Sequence, residues 1–136
     1  MKVANTSHRG VLISVKPQYA NSIVEGVKTI ELRKSFPLDL PKDQKLIIYS
    51  SSPEQKVIGE CVIKEVHKMP LAQLWDFCIN KAMISWEEFE AYFEGKDSGV
   101  AIELIKPRRY VEAQSLVEYS DKQVKTPPQS YQYLNL

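Results

Sequence analysis

SVKPQYANSIVEGVKTIELRK, residues 14 to 34, changes backbone conformation twice. Its first residues end the apolar, β-branched, alternating run VLISVK (11 to 16), which reads as a strand. Pro17 opens a helix, because a proline in the first turn loses no intrahelical hydrogen bond. Ala20, Ile23, Val24 and Val27 follow at helical spacing, and Gly26 supplies the stop. KTIELRK (28 to 34) is then a second strand, dense in charge of both signs. Alternation puts Thr29, Glu31 and Arg33 on one face and Lys28, Ile30, Leu32 and Lys34 on the other. The apolar face lines a core while its terminal lysines snorkel outward.

From this β-α-β start the chain continues in short segments. KLIIYSS (45 to 51) is extended, SSPEQ turns, and KVIGECVIKEV (56 to 66) is a long strand whose Gly59 marks a bulge or a close approach. A helix starts at Pro70, with Leu71, Leu74, Trp75 and Cys78 on one face. Ser85 and Glu88 form a capping box for another, with Trp86, Phe89 and Phe93 as a core-facing stripe and Gly95 as its end. GVAIELI (99 to 105) returns to strand; VEAQSLVEY reads as a strand end or a short helix, and the segment from Thr126 as a final extended piece. The order predicts an α+β domain, a small mixed sheet with helices at its ends, and short strands with turns suit a compact barrel. The 136 residues make one domain, with residues 1–10 expected as a flexible tail.

Composition narrows the function. No apolar run approaches the roughly 18 residues that span a bilayer, and the polar N-terminus lacks the apolar core of a signal peptide. Two cysteines, Cys61 and Cys78, are too few for a disulfide framework and read as buried thiols, so a reducing cytoplasm is the expected location. With only His8 and His67, and no carboxylates at ligand spacing, neither a metal nor a cofactor is expected. Charge is segregated. Residues 1 to 64 hold ten Lys/Arg against six Asp/Glu, a balance of +4. Residues 65 to 105 hold three against eight, a balance of −5, and residues 106 to 136 hold five against three, a balance of +2. Basic ends attract anionic partners and the acidic helical middle repels them. That middle is itself a candidate surface for a protein partner.

The stretch resembles the opening signature of the ASCH domain (activating signal cointegrator homology): Ser, an aliphatic, Lys-Pro, an aromatic, a short helix, then Gly-x-Lys-x-x-Glu-x-Arg. Ser14, Lys16, Pro17, Tyr19, Ile23, Gly26, Lys28, Glu31 and Arg33 occupy its positions. The likeness extends through IIYSS, VIGE, WEEFEAYF and PPQSYQYL. It implies a PUA-like fold: a small β-barrel with a short helix after the first strand and two helices covering the barrel. It also implies an RNA-binding cleft between the barrel and the first helix.

In such a cleft Lys28 and Arg33 would hold phosphate, with Lys16 beside them. Glu31 would orient them or accept a proton from a base edge, and Tyr19 would stack on an unpaired base. The expected partner is single-stranded RNA or a nucleotide-like ligand. The alternative reading of Glu31 and Arg33 is a rim ion pair that satisfies itself. Ribonuclease-like members of the family place a tyrosine at a strand end, a nearby lysine and a serine near the C-terminus at the cleft; Tyr49, Lys56 and Ser130 match. An acetylcytidine amidohydrolase branch uses a lysine, a threonine and a helical glutamate. Lys28 matches the first, but Glu31 holds the threonine position and the glutamate falls near Lys81.

Overall fold

Strand β1 (Arg9–Val15) is buried on both faces. Val11, Ile13 and Val15 enter the principal core, and Leu12 enters a cluster on the opposite side. A computed structural model describes residues 9–136. Arg9 and Gly10 are therefore strand and not tail, while residues 1–8, with His8, lie outside the described residues. Helix α1 (Pro17–Val24) starts at Pro17 and lays Ala20, Ile23 and Val24 on the principal core. Gly26 then takes φ +81°, a backbone that favours glycine. The amides of Val27 and Lys28 both donate to the Ser22 carbonyl (3.0 and 3.1 Å), turning the chain under the helix.

Strand β2 (Ile30–Arg33) is shorter than KTIELRK suggests. Strand β3 (Lys45–Ser50) pairs parallel with β1, so α1 and β2 lie in the crossover between them. Strands β4 (Lys56–Pro70) and β5 (Ser98–Gln114) form a long antiparallel pair, joined through helices α2 (Leu71–Cys78) and α3 (Trp86–Tyr92). β5 continues past Pro107 through an irregularity, where Lys106 takes φ +52° and the register with β4 shifts. VEAQSLVEY proves to be both readings, the end of β5 followed by α4 (Leu116–Tyr119). Strand β6 (Gln132–Asn135) is the final extended piece and pairs antiparallel with β1.

The fold is α+β and PUA-like in arrangement, and its six-stranded mixed sheet, ordered β2-β5-β4-β3-β1-β6, is not closed by a strand ladder. A side chain crosses the gap between its ends. From edge strand β2, Arg33 Nη2 donates to the Ser14 carbonyl on β1 (3.1 Å), and Nη1 donates to the Ser130 carbonyl just before β6 (3.1 Å).

Helices α2 and α3 cover one end, where Ile30, Leu32, Leu74, Cys78, Phe89, Phe93 and Ala101 form a second cluster. The aromatic stripe of α3 is buried only in part. Phe89 and Phe93 are each 1% exposed, but Trp86 is 46% exposed, stacked on Phe89 and set edge-on to Trp75 at the rim. Burial pushes the Cys61 thiol up to about 12 and raises that of Cys78, so both are inert packing residues. Among the described residues, no helix is long and apolar enough to cross a membrane.

Gly59 is a close approach at a bulge. The β4–β5 register shifts between Val57 and Gly59. A Cβ there would overlap the Arg108 carbonyl oxygen and sit 2.7 Å from Val24 Cγ1 and 3.2 Å from Arg109 Cα. Gly59→Ala is expected to cost about 1–3 kcal/mol of stability. A denaturant midpoint and slope like the wild type would show instead that the strands have room to part there.

Candidate functional site

The turn at Gly26 delivers Lys28 beneath α1, and the site is built from there. Lys28 is only 3% exposed, so it does not snorkel outward as its strand position suggested. Its ammonium donates to the Ala82 carbonyl in the α2–α3 connection and lies 3.8 Å from Glu31 Oε1. Burial lowers its pKa, and the attraction of Glu31 opposes that shift only partly.

Alternation along β2 holds: Ile30 and Leu32 pack under α2 and α3. Glu31 and Arg33 sit on the other face, opposite Ile102 and Val100 of the principal core. Arg33 Nε donates to Glu31 Oε2 at 2.9 Å, and the two side chains are 11% and 9% exposed. With its contacts to Ser14 and Ser130, three of the five guanidinium N–H groups have protein partners. The ion pair is real, and it is also a brace.

Tyr19 stands in the first turn of α1, its ring centroid 5.1 Å from Lys28 Nζ. Its hydroxyl donates to Glu88 Oε2 on α3, while Glu88 Oε1 accepts from the Ser85 amide in the capping box (3.1 Å). Those two donors hold the Glu88 carboxyl below its usual range; burial and the same carboxylate raise the Tyr19 hydroxyl. Lys16 caps α1 through its carbonyl, and its side chain is exposed at the rim.

These groups surround one cleft of about 570 Å³, a volume usual for ligand sites. All five residues expected to bind (Lys16, Tyr19, Lys28, Glu31 and Arg33) line it, together with Ser14, Glu88, Tyr92 and Gln129. Three cations thus face two carboxylates. Glu88 was legible only as a capping residue; its reach to Tyr19 spans 69 positions, and no local pattern announces that.

Tyr49, Lys56 and Ser130 do not line the cleft. Tyr49 is 5% exposed, within the cluster on the outer side of β3. Lys56 is exposed at the start of β4, paired with Ser50. Ser130 lies in an exposed bend. Two of them converge nonetheless on the same neighbour: Ser14 is the register partner of Tyr49, and its carbonyl shares the Arg33 guanidinium with that of Ser130. Lys81 does not line the cleft, and the helical carboxylate that does is Glu88.

His67 lies within β4, not after it, and its Nε2 donates to Glu103 Oε1 at 2.6 Å. Sequence spacing concealed a further grouping: Glu65, His67 and Glu103 bring ligand atoms within 4.8 Å of one another. None of the three lines the cleft.

With this geometry in view, the family follows from comparison with known proteins. The model of the ASCH domain matches residues 13–114. The chain belongs to the ASCH domain family. An ASCH domain-containing ribonuclease of Zymomonas mobilis is 28% identical over 124 residues, 90% of this chain and 82% of that protein. The crystal structure of ASCH from Z. mobilis superposes with a TM-score of 0.85 at 28% identity, covering 92% of this chain and 87% of that one. Variants of that ASCH protein, one tyrosine-to-phenylalanine and one serine-to-alanine, superpose at 0.85 and 0.84. The large ribosomal subunit protein uL22 of Ureaplasma parvum is 29% identical over 125 residues, 91% of this chain. The ASCH chain spans only 39% of the length of that relative.

Proposed function

We propose that this ASCH protein binds single-stranded RNA, or a nucleotide-like ligand, in the cleft between α1, β2 and α3. The observation that carries this reading is the convergence of Lys16, Tyr19, Lys28, Glu31 and Arg33 on one concavity. Exposed Lys16 at the rim and buried Lys28 in the cleft wall attract phosphate, and the two spare N–H groups of Arg33 add to them. Tyr19, held by Glu88, offers a ring for a base to stack on once that hydroxyl contact yields. Glu31 orients both cations. Basic residues against an acidic flank favour entry from the α1 side.

A ribonuclease acting at the margin of this cleft, where Tyr49 and Ser130 flank the lining residues Ser14 and Arg33, is the second reading, and the ribonuclease relative favours it. Metal-free cleavage requires a group that takes the 2′-hydroxyl proton and a cation that stabilises the phosphorane. Tyr49 and Lys56 are assigned those roles, and Ser130 positions the phosphate. The amidohydrolase reading is not adopted, because Glu31 occupies the position of its threonine.

Binding is tested by fluorescence anisotropy with labelled RNA. Single strands are expected to bind more tightly than duplex DNA, and equal affinity for both would sink the cleft reading. Because Arg33 also braces the sheet, exposed Lys16 is the cleaner probe of phosphate contact. Lys16→Ala should flatten the slope of log affinity against log salt by about 0.7, one counterion on a single strand. An unchanged slope in a folded variant removes Lys16 from the interface.

A further inference from the structure

Two carboxylates line the cleft, and their surroundings divide them. Glu31 is committed to its neighbours: Arg33 Nε donates to Oε2 at 2.9 Å, Lys28 Nζ lies 3.8 Å from Oε1, and the side chain is nearly excluded from solvent. Glu88 is exposed, and among the described residues no Lys, Arg or His nitrogen lies within salt-bridge distance of it. Its oxygens accept one hydrogen bond each, Oε2 from the Tyr19 hydroxyl and Oε1 from the Ser85 amide. A carboxylate has about four acceptor sites, so each oxygen keeps one open. Those same two donors hold the Glu88 carboxyl below its usual range, and at neutral pH it is an anion that accepts and cannot donate.

Helix capping does not account for that charge. Glutamine closes the same box with Ser85, and Glu87 already gives the first turn of α3 an acidic residue for the dipole. In a cleft whose cations attract phosphate, a bare carboxylate is a liability. A base edge made of hydrogen-bond donors turns it into a contact. The placement suits such an edge: Glu88 meets the hydroxyl end of the Tyr19 ring, and Lys28 Nζ lies 5.1 Å from the centroid of that ring. A base against Tyr19 therefore meets an ammonium and a carboxylate together. Guanine alone among the four RNA bases offers two adjacent donors, N1–H and the N2 amino group. Adenine and cytosine set an amino group beside a bare ring nitrogen, and uracil flanks its single N3–H with two carbonyls. Each of these three turns a lone pair toward the second Glu88 oxygen. The O6 and N7 acceptors of guanine, in turn, suit a cation.

We infer that, where single-stranded RNA binds in this cleft as proposed, Glu88 makes the site selective for guanine, whose N1–H and N2–H donate to the two carboxylate oxygens while the base lies against Tyr19. The base-edge role that its sequence position suggested for Glu31 thus passes to Glu88, because Arg33 and Lys28 already hold Glu31.

The probes are fluorescein-labelled RNA pentamers, UUGUU, UUAUU, UUCUU, UUUUU and UUIUU (I, inosine), titrated with the full chain and followed by anisotropy. Wild type is expected to bind UUGUU about tenfold more tightly than the adenine, cytosine and uracil pentamers, the lower end for a bidentate base contact because solvent reaches Glu88. Inosine lacks only the N2 amino group, so UUIUU should lose a large part of that preference. Glu88→Gln keeps the capping box but exchanges an acceptor for a donor, and should bring UUGUU and UUUUU to within about twofold of each other. Glu90→Gln removes the same charge from α3 outside the cleft and should keep the preference. Equal affinity of wild type for all five pentamers overturns the guanine assignment and leaves RNA binding standing, whereas no binding of any pentamer overturns both. A preference that survives in Glu88→Gln, or that inosine retains in full, gives the recognition to other groups and overturns the proposal as well. The inosine comparison is made on the wild-type chain, so it decides the matter even if Glu88→Gln is unstable.

Discussion

Arg33→Ala is expected to lower stability by about 3–5 kcal/mol, the usual cost of leaving one charge of a buried pair without its partner. For a domain of this size that is a fall of roughly 10–20 °C in melting temperature. The basis is geometric. Glu31 and Arg33 are nearly excluded from solvent, at 9% and 11% exposure, so screening by water does little to discount the pair. Losing Arg33 leaves Glu31 with Lys28 alone, at 3.8 Å, and removes both hydrogen bonds across the open side of the sheet. Arg33→Lys keeps the charge but cannot reach three acceptors in fixed directions, so it should recover less than half of the loss. Thermal unfolding monitored by circular dichroism decides the matter. A fall of only a degree or two would return Glu31 and Arg33 to the weaker standing of a rim pair.

The other large effect concerns chemistry. If the ribonuclease reading holds, Tyr49→Phe should slow RNA cleavage by about 10²–10⁴-fold, the usual contribution of a positioned proton-transfer group. The substitution removes one hydroxyl and keeps the ring packed with Leu12, Val57 and Leu134, so folding and RNA affinity should change little. Cleavage should persist in EDTA, since the groups assigned to it need no metal. Two results speak against this mechanism. Wild-type rates in Tyr49→Phe would remove the tyrosine from the reaction, and activity lost in EDTA but restored by Mn²⁺ would direct attention to Glu65, His67 and Glu103.

Local chemistry made much of the molecule legible. Pro17 and Gly26 bound α1 because one tolerates a first helical turn and the other a positive φ. The capping box of Ser85 and Glu88 starts α3, and Gly59 marks a close backbone approach. The five residues expected at the cleft all lie in the β-α-β unit from Arg9 to Arg33, at positions of the motif that resembles the ASCH signature.

What escaped depends on partners distant in sequence. Lys28 was expected outside, but the Ala82 carbonyl, 54 positions away, draws it in. Trp86 shares helical spacing with Phe89 and Phe93, yet a helix of seven residues over a small sheet buries only two aromatics, and the third is left at the rim. Arg33 carries the pattern of a phosphate ligand, and nothing in KTIELRK shows that its guanidinium spans the opening of the sheet. His67 meets Glu103 only because β4 and β5 pair across the whole helical segment.

The pairing of β1 with β6 has a consequence for synthesis. Arg9 stands opposite Asn135, so almost the whole chain separates the partners of this ladder. A ribosome finishes β1 early and must make every other element before the strand that covers its free edge exists. Until then β1 exposes unpaired amides and carbonyls on that side, a template for mispairing. Ser130, one of the two carbonyls that Arg33 holds, also emerges after every element but β6. A nascent chain therefore cannot brace its sheet or complete the wall next to Ser14 until residues 130 to 135 have been made.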